Sequence, residues 1–412
     1  MNLSGFVAST ATLTGQEATD NDLIDILVNG VSTGINESVN EFAAPTAYTI
    51  GSNFFHSGVN RIDYIVFNGH TDVTPTGLRN EMSVTAQPAP PDQFAVSGDA
   101  GGTSVINLYD STGKAATTVN PFPGFIGGIR TVLADFNGDG IADLAAGTGP
   151  GTTAEVKVLD GKTGSILFDS TPFDNFTGGV FVSSGDINGD GIADLIITPD
   201  VSGGPRVEVF RGGDFHEIAN FFGIADSNFR GGARTAAGDL NGDGDAELIV
   251  SAGFGGGPRI SIFDGAALLQ GNLVHPIGDF FAFDQSLRNG VYLAVGDVNG
   301  DGINDLVFGA GPGGGPRVLI VSGQTLLSQG SSSALDLPIA NFFAGDSNNR
   351  GGVRVAAKNL DGDKFADVVT GAGQTGGSGV AAYLGQSLAT GQSPIAFGFD
   401  AFPGFTGGVF VG

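Results

Sequence analysis

Residues 135–143 read DFNGDGIAD, and four similar nine-residue segments follow them along the chain. The later copies are DINGDGIAD at 186–194, DLNGDGDAE at 239–247, DVNGDGIND at 297–305 and NLDGDKFAD at 359–367. Successive copies start 51, 53, 58 and 62 residues apart, and each lies between two runs of strand-forming residues. A repeat of this length with several short strands per unit is typical of a β-propeller.

Each copy carries side-chain oxygens at positions 1, 3, 5 and 9 and can add the backbone carbonyl of position 7. Hard oxygen donors at this spacing can surround one Ca²⁺, and the glycine at position 6 of the first four copies permits the sharp turn. The predicted ligands are Asp135, Asn137, Asp139, Ile141 and Asp143; Asp186, Asn188, Asp190, Ile192 and Asp194; Asp239, Asn241, Asp243, Asp245 and Glu247; Asp297, Asn299, Asp301, Ile303 and Asp305; and Asn359, Asp361, Asp363, Phe365 and Asp367.

The copies are not EF-hands, because that motif needs a glutamate at position 12. Position 12 is Ala146, Ile197 or Val250 in the first three copies, and a strand-like run follows. The alternative is a set of Asx-turns that only close hairpins. We expect four or five bound ions. The fifth copy is expected to bind more weakly or to stay empty, because it has Asn359 at position 1 and Lys364 in place of glycine.

The repeat resembles the FG-GAP or VCBS repeats of bacterial surface proteins, and it is similar to the calcium loops in the propeller of integrin α subunits. The resemblance covers roughly residues 93–412. It implies a β-propeller with Ca²⁺ held in the turn between the first and second strands of a blade. Propellers of this kind serve in adhesion, lectin binding and scaffolding, and some belong to polysaccharide lyases, so the resemblance leaves the function open.

The blade count follows from the two ends of this region. Residues 94–122 contain the second, third and fourth strands of a unit but no first strand and no acidic segment. The last residues, FTGGVFVG, are a first strand alone. The two fragments add up to one blade, which predicts an all-β fold with six blades, the sixth built from both ends and leaving no open sheet edge.

The segment QPAPPD, ending at Asp92, predicts a stiff linker over residues 88–92. Residues 1–87 lack the repeat and contain five strand-like runs, which predict a small β-sandwich. This region resembles the jelly-roll modules of secreted bacterial proteins, which often bind sugars. A spacer or assembly domain is the alternative.

Composition supports a globular β protein, with 71 glycines in 412 residues and only 15% charged residues. A net charge of −26 argues against nucleic acid and anionic membranes as partners. The absence of cysteine excludes disulfides and thiolate metal sites. Calcium loops favour an extracellular or cell-surface location, because cytosolic Ca²⁺ is scarce. The N-terminal residues do not read as a signal peptide, which predicts prior processing or another export route.

Arginine and aromatic residues alternate two positions after the Gly-Gly or Asn-Gly pair that opens each inner strand. The six residues are Arg130, Phe181, Arg234, Tyr292, Arg354 and Phe410. We expect cation–π stacking near the axis, with ordinary packing between blades as the alternative.

A second group of arginines lies in the turns at the end of the blades opposite the acidic segments. Its members are Arg206, Arg230, Arg259, Arg317 and Arg350. They could form a shallow surface for acidic sugars or a protein carboxylate, or they could each pair with a neighbouring blade.

No catalytic motif is recognisable, and the four histidines show neither metal-ligand spacing nor a triad pattern. The sequence therefore favours a non-enzymatic, calcium-stabilised surface propeller that mediates adhesion or assembly. A lectin-like carbohydrate-binding protein is the alternative, and a polysaccharide-degrading propeller enzyme is the least favoured. The expected partners are a protein or glycan at the cell surface, or further copies of the same chain.

Overall fold

The computed structural model describes residues 1–3, 6–19, 22–36, 45–56, 59–67 and 78–412. They divide into compact units, the first containing residues 1–90 and the second residues 91–241 and 245–412.

The first unit consists of two three-stranded antiparallel sheets, ordered β4-β1-β6 and β3-β2-β5. Its strands are β1 (Phe6–Thr19), β2 (Asp22–Val28), β3 (Val31–Ser32), β4 (Thr46–Ile50), β5 (Ile62–Phe67) and β6 (Leu78–Pro88), with a 3₁₀ turn at Ser52–Phe54. Leu23, Ile26 and Val28 of β2 are buried, and Leu23 and Ile26 pack in one cluster with Leu13 and Ile50 from the other sheet. Strand β6 extends through Pro88, one residue into the predicted linker.

The second unit is built from 24 strands in six four-stranded antiparallel sheets. The strands are β7 (Phe94–Gly98), β8 (Ile106–Tyr109), β9 (Ala115–Val119), β10 (Ile129–Ala134), β11 (Asp143–Thr148), β12 (Val156–Leu159), β13 (Ile166–Ser170), β14 (Val180–Gly185), β15 (Asp194–Pro199), β16 (Arg206–Phe210), β17 (Glu217–Phe222), β18 (Ala233–Gly238), β19 (Glu247–Ala252), β20 (Arg259–Phe263), β21 (Phe280–Phe281), β22 (Val291–Gly296), β23 (Asp305–Ala310), β24 (Arg317–Val321), β25 (Ala340–Phe343), β26 (Val353–Lys358), β27 (Asp367–Ala372), β28 (Gly379–Tyr383), β29 (Phe397–Asp400) and β30 (Val409–Val411). Sheets I to V are β10–β13, β14–β17, β18–β21, β22–β25 and β26–β29, and sheet VI has the order β30-β7-β8-β9.

The first strands of the sheets contact one another in sequence order, from β10 through β14, β18, β22 and β26 to β30. Strand β30 also contacts β10, so the series closes on itself. The second strands β11, β15, β19 and β23 are buried along their whole length, because sheets cover both of their faces. This explains why their sequences are continuous apolar runs rather than alternating ones.

Sheet VI joins the two ends of the region, which confirms the predicted pairing of the C-terminal strand. Val411 lies opposite Val96, Phe410 opposite Ser97 and Val409 opposite Gly98. The Ala95 and Gly412 backbones exchange two hydrogen bonds, at 2.8 and 3.0 Å.

The Gly-Gly pair before the first strand of five sheets, replaced by Asn289-Gly290 in sheet IV, marks a close approach between sheets. Gly179 has a φ of 84°, and a Cβ there would lie 2.6 Å from the carbonyl carbon of Gly149 in sheet I. A Cβ on Gly178 would lie 2.0 Å from the carbonyl oxygen of Val201. The second glycine of the pair has a positive φ in all six sheets, which explains why it recurs with the repeat.

Four short helices precede the last strands of sheets III, IV and V, although the glycine-rich sequence predicts no helix. They are α1 (Gly265–Leu269), α2 (Gly323–Gln329), α3 (Ser331–Asp336) and α4 (Gly385–Leu388). The Asp264 side chain caps α1 by accepting from the Ala267 amide, and Ser322 caps α2 through the Thr325 amide.

The predicted cation–π stacking is confirmed, since each arginine of the alternating set lies over both aromatic rings beside it in the series. The six distances from guanidinium carbon to ring centroid fall between 4.0 and 5.4 Å. The three rings meet edge to face, with centroids 6.1 to 6.4 Å apart. Arg130, Phe181, Arg234, Tyr292, Arg354 and Phe410 therefore form one closed cluster, here called the axial ring.

Candidate metal centre

The five acidic segments all occupy the same place in the fold, the connection between the first and second strands of sheets I to V. The segment at 186–194, for example, leaves β14 after Gly185 and enters β15 at Asp194. Position 9 is thus the first residue of a buried strand, whereas positions 3 to 6 are mostly accessible to solvent. The structure therefore gathers each predicted ligand set into one short loop.

The carboxylate at position 1 organises the turn. Asp186 accepts hydrogen bonds from the amides of Asp190 at 3.1 Å and Gly191 at 2.7 Å. The Asn188 side-chain oxygen accepts a second bond from the Asp190 amide at 2.9 Å. Gly191 has a φ of 86°, which lets the chain reverse around the carboxylate. The same pattern recurs around Asp135 and Asp297.

The carboxylate at position 9 joins two parts of its sheet through hydrogen bonds, a role that the sequence analysis did not predict. This contact is called the position-9 brace below. One oxygen of Asp194 accepts from the Ile187 amide at position 2, and the other accepts from the Gly212 amide in the turn after the third strand, both at 2.9 Å. The corresponding carboxylates make the same two contacts in sheets I, IV and V: Asp143, Asp305 and Asp367. The sequence does carry a signal for this role, a glycine eighteen residues after each of these four aspartates.

The third loop differs because glutamate replaces aspartate at position 9. Glu247 uses one oxygen to accept from the Leu240 amide at 2.7 Å and the other to accept from the Asn241 side-chain amide at 2.9 Å. The longer side chain thus folds back onto its own loop.

The fifth loop contains two departures that favour weaker cation binding. The Asn359 side-chain amide donates to the carbonyl of Asp363 at 2.7 Å, where the other loops have a carboxylate. Lys364 places its ammonium 2.6 Å from the carbonyl oxygen of Gly300, in the fourth loop. These contacts add positive charge and an N–H donor to this part of the structure.

Burial of the carboxylates changes their acidity. Desolvation raises the pKa of Asp194 and of Asp367 to about 7 and that of Asp305 to about 8, despite the backbone amides that favour the charged form. Desolvation also raises the pKa of Asp186 to about 6, and the neighbouring Asp190 charge adds to the effect. In the second, fourth and fifth loops, carboxylates therefore lie where water stabilises their negative charge poorly.

The donor set fits calcium in kind, because every predicted ligand atom is an oxygen. Within the described residues, no group of three or more acidic, histidine or cysteine side chains is arranged to hold a metal ion. The acidic side chains are instead turned toward backbone amides, as in the Asx-turn alternative. An ionised carboxylate has about four acceptor positions, so these amide bonds leave lone pairs available.

Three of the arginines at the other end of the sheets bond across to a residue of their own sheet or of the segment just before its last strand, and Arg317 also lies over the ring of Phe283, which follows the fourth strand of sheet III, at 5.6 Å. Arg206 donates to Asn220 at 2.8 Å and Arg317 donates to Asn341 at 2.9 Å, each across to the fourth strand. Arg259 forms an ion pair with Asp279, just before the fourth strand of sheet III.

A shallow cavity of about 270 Å³ lies at the same end of sheet II. Its walls combine the rings of Phe173, Phe176 and Phe222 with Arg206 and Arg230. The Arg230 guanidinium donates to the carbonyls of Ser227 and Phe229 at 2.7 and 2.9 Å, which fixes it at the cavity edge.

Beside this cavity, Glu208 is a buried carboxylate with a strongly altered acidity. It lies 3.1 Å from Arg206, but desolvation outweighs this attraction and raises the pKa of Glu208 to about 7. The ordinary value of 4.5 applies in the unfolded chain, so the folded state binds more protons between pH 4.5 and 7. The contribution of Glu208 to stability therefore falls as the pH rises through this window and stays low above it.

We expect Glu208→Gln to unfold at higher urea concentration than the parent protein at pH 8. The gain should be about 2 kcal/mol and should disappear near pH 4.5. Urea titrations at both pH values with saturating calcium measure the difference. Glu155→Gln is the control, because Glu155 pairs with Lys157 at 2.8 Å but is one-third exposed. A variant that loses stability at pH 8 would contradict the prediction.

Comparison with known proteins bears on the loops directly. Residues 186–250, which contain the second and third loops, match the model of the FG-GAP-like repeat family. Integrin alpha-V of Gallus gallus is 30% identical over 210 residues, which make up 44% of this chain and 20% of that protein. These matches support an FG-GAP β-propeller. The chain spans only about a fifth of the length of this curated relative.

Solved structures similar to this chain include a nidogen/laminin complex, with a TM-score of 0.47 and 12% identity over 78% of this chain and 98% of that one. A Bacillus licheniformis rhamnogalacturonan lyase gives a TM-score of 0.36 and 13% identity over 92% of this chain and 70% of that one. In the described part of the chain, no helix is long and apolar enough to cross a membrane.

Proposed function

We propose that residues 93–412 form a six-bladed, calcium-stabilised propeller that acts without catalysis at the cell surface, in adhesion or in the assembly of a surface structure. The observation that carries this proposal is one loop built five times on equivalent strands. In four copies the position-9 carboxylate makes the same two backbone contacts, around Asp143, Asp194, Asp305 and Asp367. The first unit acts as a small jelly-roll-like sandwich attached to this propeller.

The residues that would hold the ions are the predicted ligands of the loops beginning at Asp135, Asp186, Asp239 and Asp297, with the loop at Asn359 as a weaker fifth site. Bound Ca²⁺ would supply positive charge to carboxylates that are poorly solvated. The position-9 brace would carry that stabilisation to the turn after the third strand, for example from Asp194 to Gly212. Calcium would thus strengthen the contact between separate parts of one sheet.

An extracellular location follows from this use of calcium, because loops of ordinary affinity fill where Ca²⁺ is abundant. Non-enzymatic action is supported by the way the clustered acids are used. In the loops of the described chain they accept from backbone amides, as Asp186 and Asp194 do, rather than facing a cavity.

Purified chain added to intact cells of the organism that makes it tests this function. We expect binding to the cells, or sedimentation of the chain as assemblies, in calcium and neither in chelator. New reducing ends released from acidic polysaccharides would instead identify an enzyme. If the amount of chain bound to saturated cells is the same in chelator as in calcium, the proposed role of calcium would be overturned.

A second candidate function, lectin-like carbohydrate binding, is favoured by the cavity at the end of sheet II. Apolar rings can stack on sugar faces, and a fixed guanidinium can pair with a carboxylate. Phe222 is half exposed there, and Arg230 stands at the edge. An acidic glycan matches this combination better than a neutral one.

We expect Arg230→Ala and Phe222→Ala to weaken binding to acidic glycans on an array by about tenfold each, because each removes one contact worth roughly 1.4 kcal/mol. Arg259→Ala is the matched control, since its exposed ion pair with Asp279 lies on sheet III. Its melting temperature should change little, as an exposed pair contributes at most about 1 kcal/mol. An array without any acidic glycan signal would remove this candidate.

A further inference from the structure

The axial ring encloses a cavity of about 70 Å³. Its walls come from all six first strands, which contribute the axial ring and the residues that follow its members, Thr131 and Thr235 among them. One water molecule occupies roughly 30 Å³ in the liquid, so the space can hold a single small ion or two to three waters. The chemistry of the walls decides between these occupants.

Positive charge exceeds negative charge around this cavity. Arg130, Arg234 and Arg354 are only 3 to 6% exposed. Arg130 forms an ion pair with Asp200 at 2.5 Å, and Arg354 forms one with Asp99. Among the described residues, no carboxylate forms an ion pair with Arg234, which donates a hydrogen bond to the Asn289 carbonyl at 2.9 Å. Three buried cations and two carboxylates leave one positive charge without a counter-charge.

Several donors in the same walls lack acceptors. Within the described structure, buried nitrogens of all three guanidinium groups have no hydrogen-bond partner, namely Nε of Arg130, Arg234 and Arg354 and Nη1 of Arg130. The Thr131 hydroxyl is buried without a partner as well. The Thr235 hydroxyl, by contrast, is bonded to Ser183 at 2.7 Å. Stacking on ring faces does not supply these N–H groups with acceptors. A buried donor without an acceptor lowers the stability of the folded protein.

We propose that the axial cavity is a binding site for one small monovalent anion of halide size. Such an ion accepts from several N–H and O–H donors at once and balances the charge of Arg234. Water is a poorer occupant, because the guanidinium groups only donate and hydroxyl oxygens such as that of Thr131 are the few acceptors that the walls offer to the hydrogens of a water molecule.

The site has a structural consequence for the six sheets. Each arginine of the axial ring lies between the rings of its two neighbours, so an anion bound among the arginines stabilises contacts to all six first strands. The anion therefore acts at the first strands, which carry the axial ring, and independently of the calcium loops. Its effect should be measurable with calcium held at saturation.

The test is the melting temperature of the full chain in bromide. Sodium bromide replaces sodium gluconate at constant ionic strength, with calcium in excess throughout. We expect a saturable rise of about 3 °C by 150 mM bromide. Arg234→Gln should abolish the rise. Thr131→Val, which removes only an unpaired hydroxyl, should raise the half-saturating bromide concentration several-fold, whereas Thr235→Val should leave that concentration unchanged.

Crystals soaked in bromide give the second readout, an anomalous peak on the axis within hydrogen-bond distance of Arg234. If Arg234→Gln does not fold, the contrast between the two threonine variants still decides the question. A linear salt effect shared by all variants, with no axial peak, would show a water-filled cavity and overturn the proposal. An axial peak without any saturable change in melting temperature would mean an adventitious ion only, which also overturns it.

Discussion

Removal of calcium is expected to lower the melting temperature of the chain by at least about 10 °C. A ligand present at about 100 times its dissociation constant stabilises a folded protein by about 2.7 kcal/mol per site. Four such sites would contribute roughly 10 kcal/mol, and each kcal/mol shifts the melting temperature of a large domain by about 2 °C or somewhat more. The effect is large because the loops are repeated, so that chelation weakens at least four sheets at once.

Calorimetric titration of chelator-stripped protein should count at least four ions. Asp190→Ala should remove one of them, since Asp190 supplies position 5 of the second loop and its amide bonds to Asp186. Asp284→Ala is the matched control, because Asp284 closes an isolated turn by accepting from the Ser286 amide at 2.8 Å. Fewer than three ions, or a melting temperature indifferent to chelator, would refute the calcium sites.

Much of the fold could be read from the repeat, because the loop and the apolar second strand always appear together. The two ends of the repeat region were informative for the same reason. Residues 94–122 lack a first strand, and the C-terminal segment is a first strand alone. The pairing of Phe410 with Ser97 and the six arginine–ring contacts then follow from the register of equivalent strands. Equivalent positions in a repeat have equivalent surroundings, which single residues do not reveal.

The features that escaped prediction depend on distant contacts. Asp194 looked like a ligand only, because nothing local shows that Gly212 donates to it. Helix α1 was missed because its cap, Asp264, and five helical residues are too few to give a periodic pattern. The excess charge of Arg234 required knowledge of where Asp200 and Asp99 lie. Sequence patterns alone do not contain these distances.

The second large effect is expected from deletion of residues 407–412, which contain β30. Val409, Phe410 and Val411 are buried, and Phe410 also belongs to the axial ring. Removing three such side chains from the interior should cost on the order of 5 kcal/mol from apolar burial alone. It would also expose the edge of β7, so we expect a truncated chain that aggregates or unfolds at room temperature.

Val409→Ala alone should lower the free energy of unfolding by about 1 to 3 kcal/mol. This variant measures how much the burial of one side chain of β30 contributes to stability.

Closure within one chain can be separated from pairing between chains by a disulfide between β30 and β7. Val96 and Val411 are the positions of choice, because the flanking pair Ala95 and Gly412 exchanges hydrogen bonds and the next pair therefore brings its side chains closer. The chain has no cysteine of its own, so Val96→Cys with Val411→Cys can form only the designed bond. We expect a monomeric crosslinked chain at high dilution that melts at a higher temperature than its reduced form, because the bond closes a loop of about 300 residues.

Val96→Cys with Val409→Cys is the control, since Val409 lies opposite Gly98 and should crosslink poorly. Crosslinks found only between chains would contradict a closed ring and would indicate that β30 completes sheet VI of the next molecule, as in a fibre.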